Sequence, residues 1–210
     1  MNTRPFSLLI FVLSAVLMLS FLTACGTSQA PRIYTLRSTA TPAPEAVLGQ
    51  KEAPVVVGIG PVEIPDYLDQ PQIITRTGPT RLSISEFDLW GGSLKEDVSR
   101  VLLENLSHFL NPSEIRAIFW KSYIPCSFRV PVTILRLDAT RGGNVLLRAR
   151  WALVGKDLQT LGANMHEMNI TKPVKGNDPG DVVAAMSEAL EELSKYIASD
   201  VKRFSAQDKR

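Results

Sequence analysis

Arg4 introduces a run from Phe6 to Leu22 that is apolar apart from its serines, and Leu22-Thr23-Ala24-Cys25 closes it. This is the segment that most constrains the rest, because it removes the first 24 residues from any folded domain. A basic start, an apolar stretch, two small residues and then a cysteine follow the order of a bacterial export signal cut at a lipobox. Cleavage is expected to leave Cys25 first, its thiol carrying a diacylglycerol and its amine a further acyl chain such as palmitate. Each buried methylene is worth about 0.8 kcal/mol, so three chains hold the protein to a bilayer durably. The competing readings are a spanning helix and an ordinary soluble signal. Phe6 to Leu22 is marginal for the ~20 residues a spanning helix needs, and a cysteine at this exit favours lipidation. Gly26 follows the cysteine, where an Asp would resemble the inner-membrane retention signal of enterobacterial lipoproteins. An outer-membrane anchor facing the periplasm is therefore expected.

Residues 25–210 suit one domain with a sizeable core. The chain carries 23 Lys and Arg against 21 Asp and Glu, a net charge of +2. The basic residues are scattered, which argues against nucleic acid as a partner. With Cys25 consumed, Cys126 has no intramolecular partner. It reads as a buried, inert thiol before an apolar run, and no disulfide framework exists.

Expected organisation is a signal peptide over 1–24, a lipidated cysteine and polar tether over 25–32, one periplasmic domain over 33–205 and a polar tail over 206–210. Ile33 to Leu36 has the branching of a first strand, and 37–54, rich in Ala, Thr, Pro and Glu, reads as a mobile loop. Val55 to Ile64 is strand-like, with Pro61 and Pro65 assigning its far end to an edge or a bend. Gln72 to Arg76 and Arg81 to Ser85 form a hairpin around Gly78-Pro79. From Ser93 to Leu110 the period becomes helical, with Ser93 and Glu96 as a capping box and Asn111-Pro112 as the stop.

Three β-type runs follow, 115–121, 128–138 and 145–154, the last two joined through Arg141-Gly142-Gly143-Asn144. Leu147, Ala149, Trp151 and Leu153 alternate with Leu146, Arg148, Arg150 and Ala152, giving one core face. The apolar phase slips between Ile134 and Leu135, which predicts a bulge. Residues 161–171 form a weaker strand. Asp178-Pro179-Gly180-Asp181 opens a final amphipathic helix, with Val183, Met186, Leu190, Leu193, Ile197, Val201 and Phe204 on one face and Lys195, Lys202 and Arg203 near its negative end. The fold class is α+β: a mainly antiparallel sheet packed by two amphipathic helices.

Residues suited to catalysis are sparse. His108 and His166 have no metal-like spacing to one another or to a cysteine; His108 reads as a solvated or capping side chain. Gly58-Ile59-Gly60 imitates the start of a dinucleotide fingerprint, but Pro61 and Pro65 forbid the helix that would hold a pyrophosphate. Trp90-Gly91-Gly92-Ser93 lacks the G-x-S-x-G order, so its glycines read as a turn and Ser93 as a cap. Asp66, Asp69, Glu86 and Asp88 read as solvated turn residues in preference to an acid–base pair. No cofactor or metal is expected, and no enzyme.

The run Ile59-Gly60-Pro61-Val62-Glu63-Ile64-Pro65-Asp66-Tyr67-Leu68-Asp69-Gln70-Pro71-Gln72-Ile73-Ile74-Thr75-Arg76 resembles the PqiC family, auxiliary lipoproteins of MCE-type ABC lipid transport systems. The lipobox, Tyr34-Thr35-Leu36, Trp90-Gly91-Gly92-Ser93-Leu94, Asn105-Leu106 and Ala149-Arg150-Trp151 support it, together covering most of residues 25–210. The resemblance implies a non-enzymatic periplasmic component that docks with an MCE-domain protein and helps phospholipid or other hydrophobic cargo cross the envelope, supporting membrane integrity. It leaves homo-oligomeric assembly open, and no Walker motif is present. The chain departs from the family pattern at Gly91-Gly92, where acidic or small polar residues are often seen. Tyr67, Arg76 and Trp90, read as exposed aromatics and an arginine around one hairpin, are the expected partner-binding residues. The alternatives are a lipoprotein that assists the assembly or stability of another outer-membrane complex, and a hydrolase of envelope lipid or glycan. The hydrolase lacks an ordered catalytic set.

Overall fold

A computed structural model describes residues 29–40, 55–113, 115–155 and 165–208, together with Ser14. The chain divides into two units, Met1–Ala30 and Pro31–Arg210, and the fold is that of the second. Cys25 and the remainder of the leader lie outside the described residues, as do 41–54 and the 161–164 part of the weaker strand. Among the described residues no helix is long and apolar enough to cross a membrane.

The domain is α+β. Its larger sheet runs β5(Ile115–Phe119), β2(Val55–Glu63), β6(Phe128–Ala139), β7(Asn144–Trp151), β9(His166–Pro173), with the short β8(Val154–Gly155) pairing β6. β5, β2 and β6 are parallel and the rest of that sheet is antiparallel. A smaller sheet, β1(Arg32–Tyr34), β4(Leu82–Trp90), β3(Gln72–Arg76), stands beside it. Two helices, α1(Leu94–Leu110) and α2(Pro179–Asp208), pack on each other and on the larger sheet.

Period-2 patterning decides which face of that sheet is covered. On β7, Val145, Leu147, Ala149 and Trp151 are at most 3% exposed, while Asn144, Leu146, Arg148 and Arg150 point to solvent. Against the buried set lies the stripe Met186, Leu190, Leu193, Ile197 and Val201 of α2, each at most 1% exposed. Full burial of such a side chain stabilises by about 1.5–3 kcal/mol, so this seam is a principal source of cohesion. The bulge falls where the apolar phase slips, between Ile134 and Arg136. Gly142 takes φ 62° in the β6–β7 turn, a conformation that costs L side chains energy.

Both helix starts are capped. The Ser93 hydroxyl accepts from the Glu96 N–H at 3.4 Å. At α2 the capping is reciprocal: Gly180 N–H donates to Asp178 Oδ1 at 2.7 Å, and Asp178 N–H donates to Asp181 Oδ2 at 3.2 Å. A 3-10 turn, Asn111–Ser113, follows α1 at the expected stop.

The bend or edge expected at the far end of β2 is present: Gly60-Pro61 is cis, the register with β6 shifts between Ile59 and Val62, and only residues 55–59 pair with β5. Three expectations are corrected. β4 runs to Trp90, through residues that read as turn. α2 continues to Asp208 and its last turn holds no basic residue, so Lys202 and Arg203 stand short of its negative end. Residues 37–40 are tied down where a mobile loop was expected. Arg37 N–H donates to Ser187 Oγ at 3.2 Å, Ser38 Oγ to Asn105 Oδ1 at 2.6 Å, and Thr39 to Glu191. This strap joins α1 to α2.

Candidate functional site

Tyr67 and Arg76 meet at Asp138, whereas Trp90 lies at the other end of the β3–β4 pair, beside Pro71 and Tyr34. Tyr67 Oη donates to Asp138 Oδ1 at 2.8 Å, and Arg76 Nε donates to Asp138 Oδ2 at 2.7 Å. Arg136 Nε reaches the same Oδ2 at 2.5 Å. Asp138 is 4% exposed and lies on β6, so Arg76 of β3 fastens the smaller sheet to the larger. Burial pushes the carboxyl pKa up, but the three donors outweigh it and hold Asp138 below the usual carboxylate value. Burial, then the bond to Asp138, pushes the Tyr67 phenol up to about 12. Arg76 also donates from Nη1 to Pro79 O at 3.0 Å, bracing the hairpin turn. The expectation of an exposed Trp90 is corrected: its residue is 7% exposed and belongs to the core. What the β3–β4 hairpin presents to solvent is Leu82, 37% exposed, and Ile84, 64% exposed.

Asp88 also departs from the solvated-turn reading. It is 3% exposed, pairs with Arg32 at 2.7 Å and Arg141 at 3.5 Å, and accepts from Ser85 Oγ at 2.5 Å. The two arginines come from β1 and the β6–β7 turn, far along the chain, so no local signal reveals them. Asp66, Asp69 and Glu86 are exposed as expected.

An open cavity of about 390 Å³ lies between the end of β1, the β4–α1 turn, the first turns of α1 and the end of β5. Thr35, Gly91, Gly92, Ser93, Asp97, Arg100 and Phe119 are among its lining residues. Asp97 Oδ2 accepts from Leu36 N–H at 2.6 Å, and Arg100 binds Asp97, Glu104 and Leu36 O. Its Ser93 hydroxyl donates to Asp69 Oδ1 at 3.1 Å. Among the described residues no histidine lines it. His108 and His166 stand apart, on α1 and β9; His166 stacks on Trp151 with ring centroids 5.5 Å apart. Among the described residues no group of three His, Cys, Asp or Glu is placed to hold a metal ion. Cys126 is half-buried and free.

The domain is thus an α+β fold with a buried ion pair between its two sheets and an open cavity at the start of α1. The family model described as the ABC-type transport auxiliary lipoprotein component matches residues 34–198, and the chain belongs to that family. Membership makes this chain an auxiliary component of an ABC-type transporter.

Two solved structures share the fold. One, described only as an uncharacterized protein, superposes with a TM-score of 0.67 at 16% identity, covering 82% of this chain and 99% of its own. The other is protein XCC0632 from Xanthomonas campestris, of family DUF330, with a TM-score of 0.61 at 15% identity, covering 88% of this chain and 99% of its own. No curated protein matches the chain.

Proposed function

We propose that this protein is an outer-membrane lipoprotein, anchored through acylated Cys25 and facing the periplasm, that docks with an MCE-domain protein as a non-catalytic part of an intermembrane lipid transport system. The observation that carries the reading is the family match over residues 34–198. The lipobox ending at Cys25 supports the anchor, and the resemblance of residues 59–76 supports the MCE partner and lipid cargo.

The docking element is the β3–β4 hairpin. Leu82 and Ile84 supply the exposed apolar contact, while Arg76, the Cα partner of Leu82, stiffens the hairpin from behind through Asp138 and Pro79. Tyr67 completes that brace and Trp90 seats the far end of β4 in the core. Apolar anchors on a rigid support lose little entropy when they bind.

The test is co-purification of the MCE protein with detergent-solubilised full-length chain. Leu82→Asp with Ile84→Asp should cut recovery about tenfold or more, since two central anchors together carry over 1.4 kcal/mol. Unchanged recovery would remove the hairpin from the interface. Recovery of a β-barrel protein in place of an MCE protein would favour the assembly role.

A further inference from the structure

The link from β5 to β6 joins two strands that flank β2 on opposite sides, so it must cross β2. Val57 and Ile59 of β2 face the core, which turns Gly58 to the helix-free side of the sheet. The link crosses there. A Cβ at Gly58 would stand 2.9 Å from Trp120 Cδ1 and 3.3 Å from Cys126 Sγ, so glycine is what lets Trp120 lie on the strand. Trp120 is covered in turn by Arg129, whose Cζ is 4.7 Å from the ring centroid. Trp120 N–H donates to Ile59 O at 2.9 Å, Ser127 N–H to Val56 O at 2.7 Å, and Ile124 N–H to Lys121 O at 3.0 Å.

Large apolar groups stand out in water at the start of this firmly fastened link. Phe119, the last residue of β5, is 43% exposed, and Tyr123 of the link 75% exposed, with Lys121 Nζ 5.8 Å from the Tyr123 ring centroid. From Ile115 to Leu135 the sequence has no Asp or Glu, but it has Arg116, Lys121 and Arg129. None of the three forms an ion pair among the described residues. Aromatic rings beside unpaired cations suit the boundary of an anionic bilayer, where rings sit at headgroup depth and each nearby cation adds about 1 kcal/mol.

With Cys25 acylated, chain length keeps the bilayer within reach of this rim. Seven links separate Cys25 from Arg32, a reach of at most about 25 Å. β1, where that leash enters the domain, adjoins the rim: Ile33, 59% exposed, has its Cγ2 3.4 Å from a Cβ built on Gly91. Gly91 and Thr35 then line the same cavity as Phe119. Of the two acids there, Asp97 is spent on Arg100 and Leu36, and Glu96 lies in the first turn of α1, where the helix dipole offsets its charge.

We infer that the rim of Ile33, Phe119, Lys121 and Tyr123 rests on the anionic lipid surface to which the chain is anchored, making a second contact with the bilayer beyond the acyl chains. This rests on the proposed anchor at Cys25. The contact fixes which side of the domain faces the membrane and leaves the β3–β4 hairpin for the protein partner.

The test places a photo-crosslinking phenylalanine at Tyr123, or at Tyr196 of α2 as an exposed control, in the full-length lipidated chain. Each is reconstituted in phosphatidylethanolamine–phosphatidylglycerol vesicles, and lipid adducts are read by mass. The expected yield at position 123 is about tenfold that at 196, falling several-fold in neutral phosphatidylcholine, in keeping with cationic contacts of about 1 kcal/mol each. Flotation with the vesicles but equal or absent adducts at 123 would overturn the rim contact while leaving the anchor standing. Capture of a second protein chain at 123 would also overturn it, by making the rim a protein interface. A chain that floats no better than its Cys25→Ala variant would overturn the anchor, and the rim contact with it.

Discussion

Replacing Asp138 by alanine separates a brace from a binding residue. The carboxylate is 4% exposed and takes donors from Tyr67, Arg76 and Arg136. Hydrogen bonds to a charged group are worth about 1.5–3 kcal/mol each, but they are not additive, since one substitution removes all three together. Side-chain exposure decides what the orphaned donors recover. Arg136 is 42% exposed and rehydrates, whereas Arg76 is 21% exposed and keeps part of the penalty. Breaking one side of a buried ion pair costs about 3–5 kcal/mol, and Arg136 brings this case to the lower end, about 3 kcal/mol. For a domain of this size that lowers Tm by about 6–12 °C. Tyr67→Phe, which removes one bond and leaves the ion pairs, should cost about 1.5 kcal/mol. Calorimetric or dichroism melts of the full-length protein give both values. A cost below about 1 kcal/mol for Asp138→Ala would refute the brace. So would an unchanged Tm accompanied by loss of the partner, which would return Arg76 and Tyr67 to the interface itself.

Other outcomes follow from the same geometry. Asp138 is held below its unfolded value of 3.8, so its contribution to stability is complete above that pH and is lost as pH falls below it. Acid melts of the wild type should therefore fall more steeply than those of Asp138→Asn. Tyr67 titrates at about 12 against 10 when unfolded, so its contribution is complete below pH 10 and fades between about 10 and 12. Alkaline melts of Tyr67→Phe should lack that component. Gly58→Val would drive a side chain into Trp120 and should cost about 1–3 kcal/mol, visible as a lower urea midpoint at unchanged slope. Cys25→Ala should move most of the protein from the membrane to the soluble periplasmic fraction; retention equal to the wild type would contradict the anchor.

Local pattern carried much of the architecture. β7 is legible because Arg148 and Arg150 alternate with core residues, and the β6 bulge because a phase slip leaves its trace in the apolar order. Both helices announce themselves by period and cap. What escaped depends on partners distant in sequence. Asp88 looks like a turn residue until Arg32 and Arg141 arrive from 56 and 53 residues away and neutralise it in the interior. Trp90 stands before two glycines, which suggests an exposed corner, yet its pairing with Tyr34 of β1 holds it inward. Pro61 marks the bend in β2, but nothing local shows that Gly58 is the space Trp120 occupies. The strap at 37–40 has loop composition because its hydroxyls and backbone, not its apolar groups, do the fastening. Phe119, Lys121 and Tyr123 were missed as surface residues, although the acid-free stretch around them is visible in the sequence.

The central claim is that this lipoprotein meets an MCE-domain protein through the β3–β4 hairpin, and photo-crosslinking in intact cells from position 84 addresses it most directly. Ile84 is 64% exposed, and Leu193 of α2, fully buried, serves as the control. The account predicts an MCE-domain protein captured from 84 and nothing from 193. Capture of a β-barrel or cell-wall protein in its place would contradict the transport assignment.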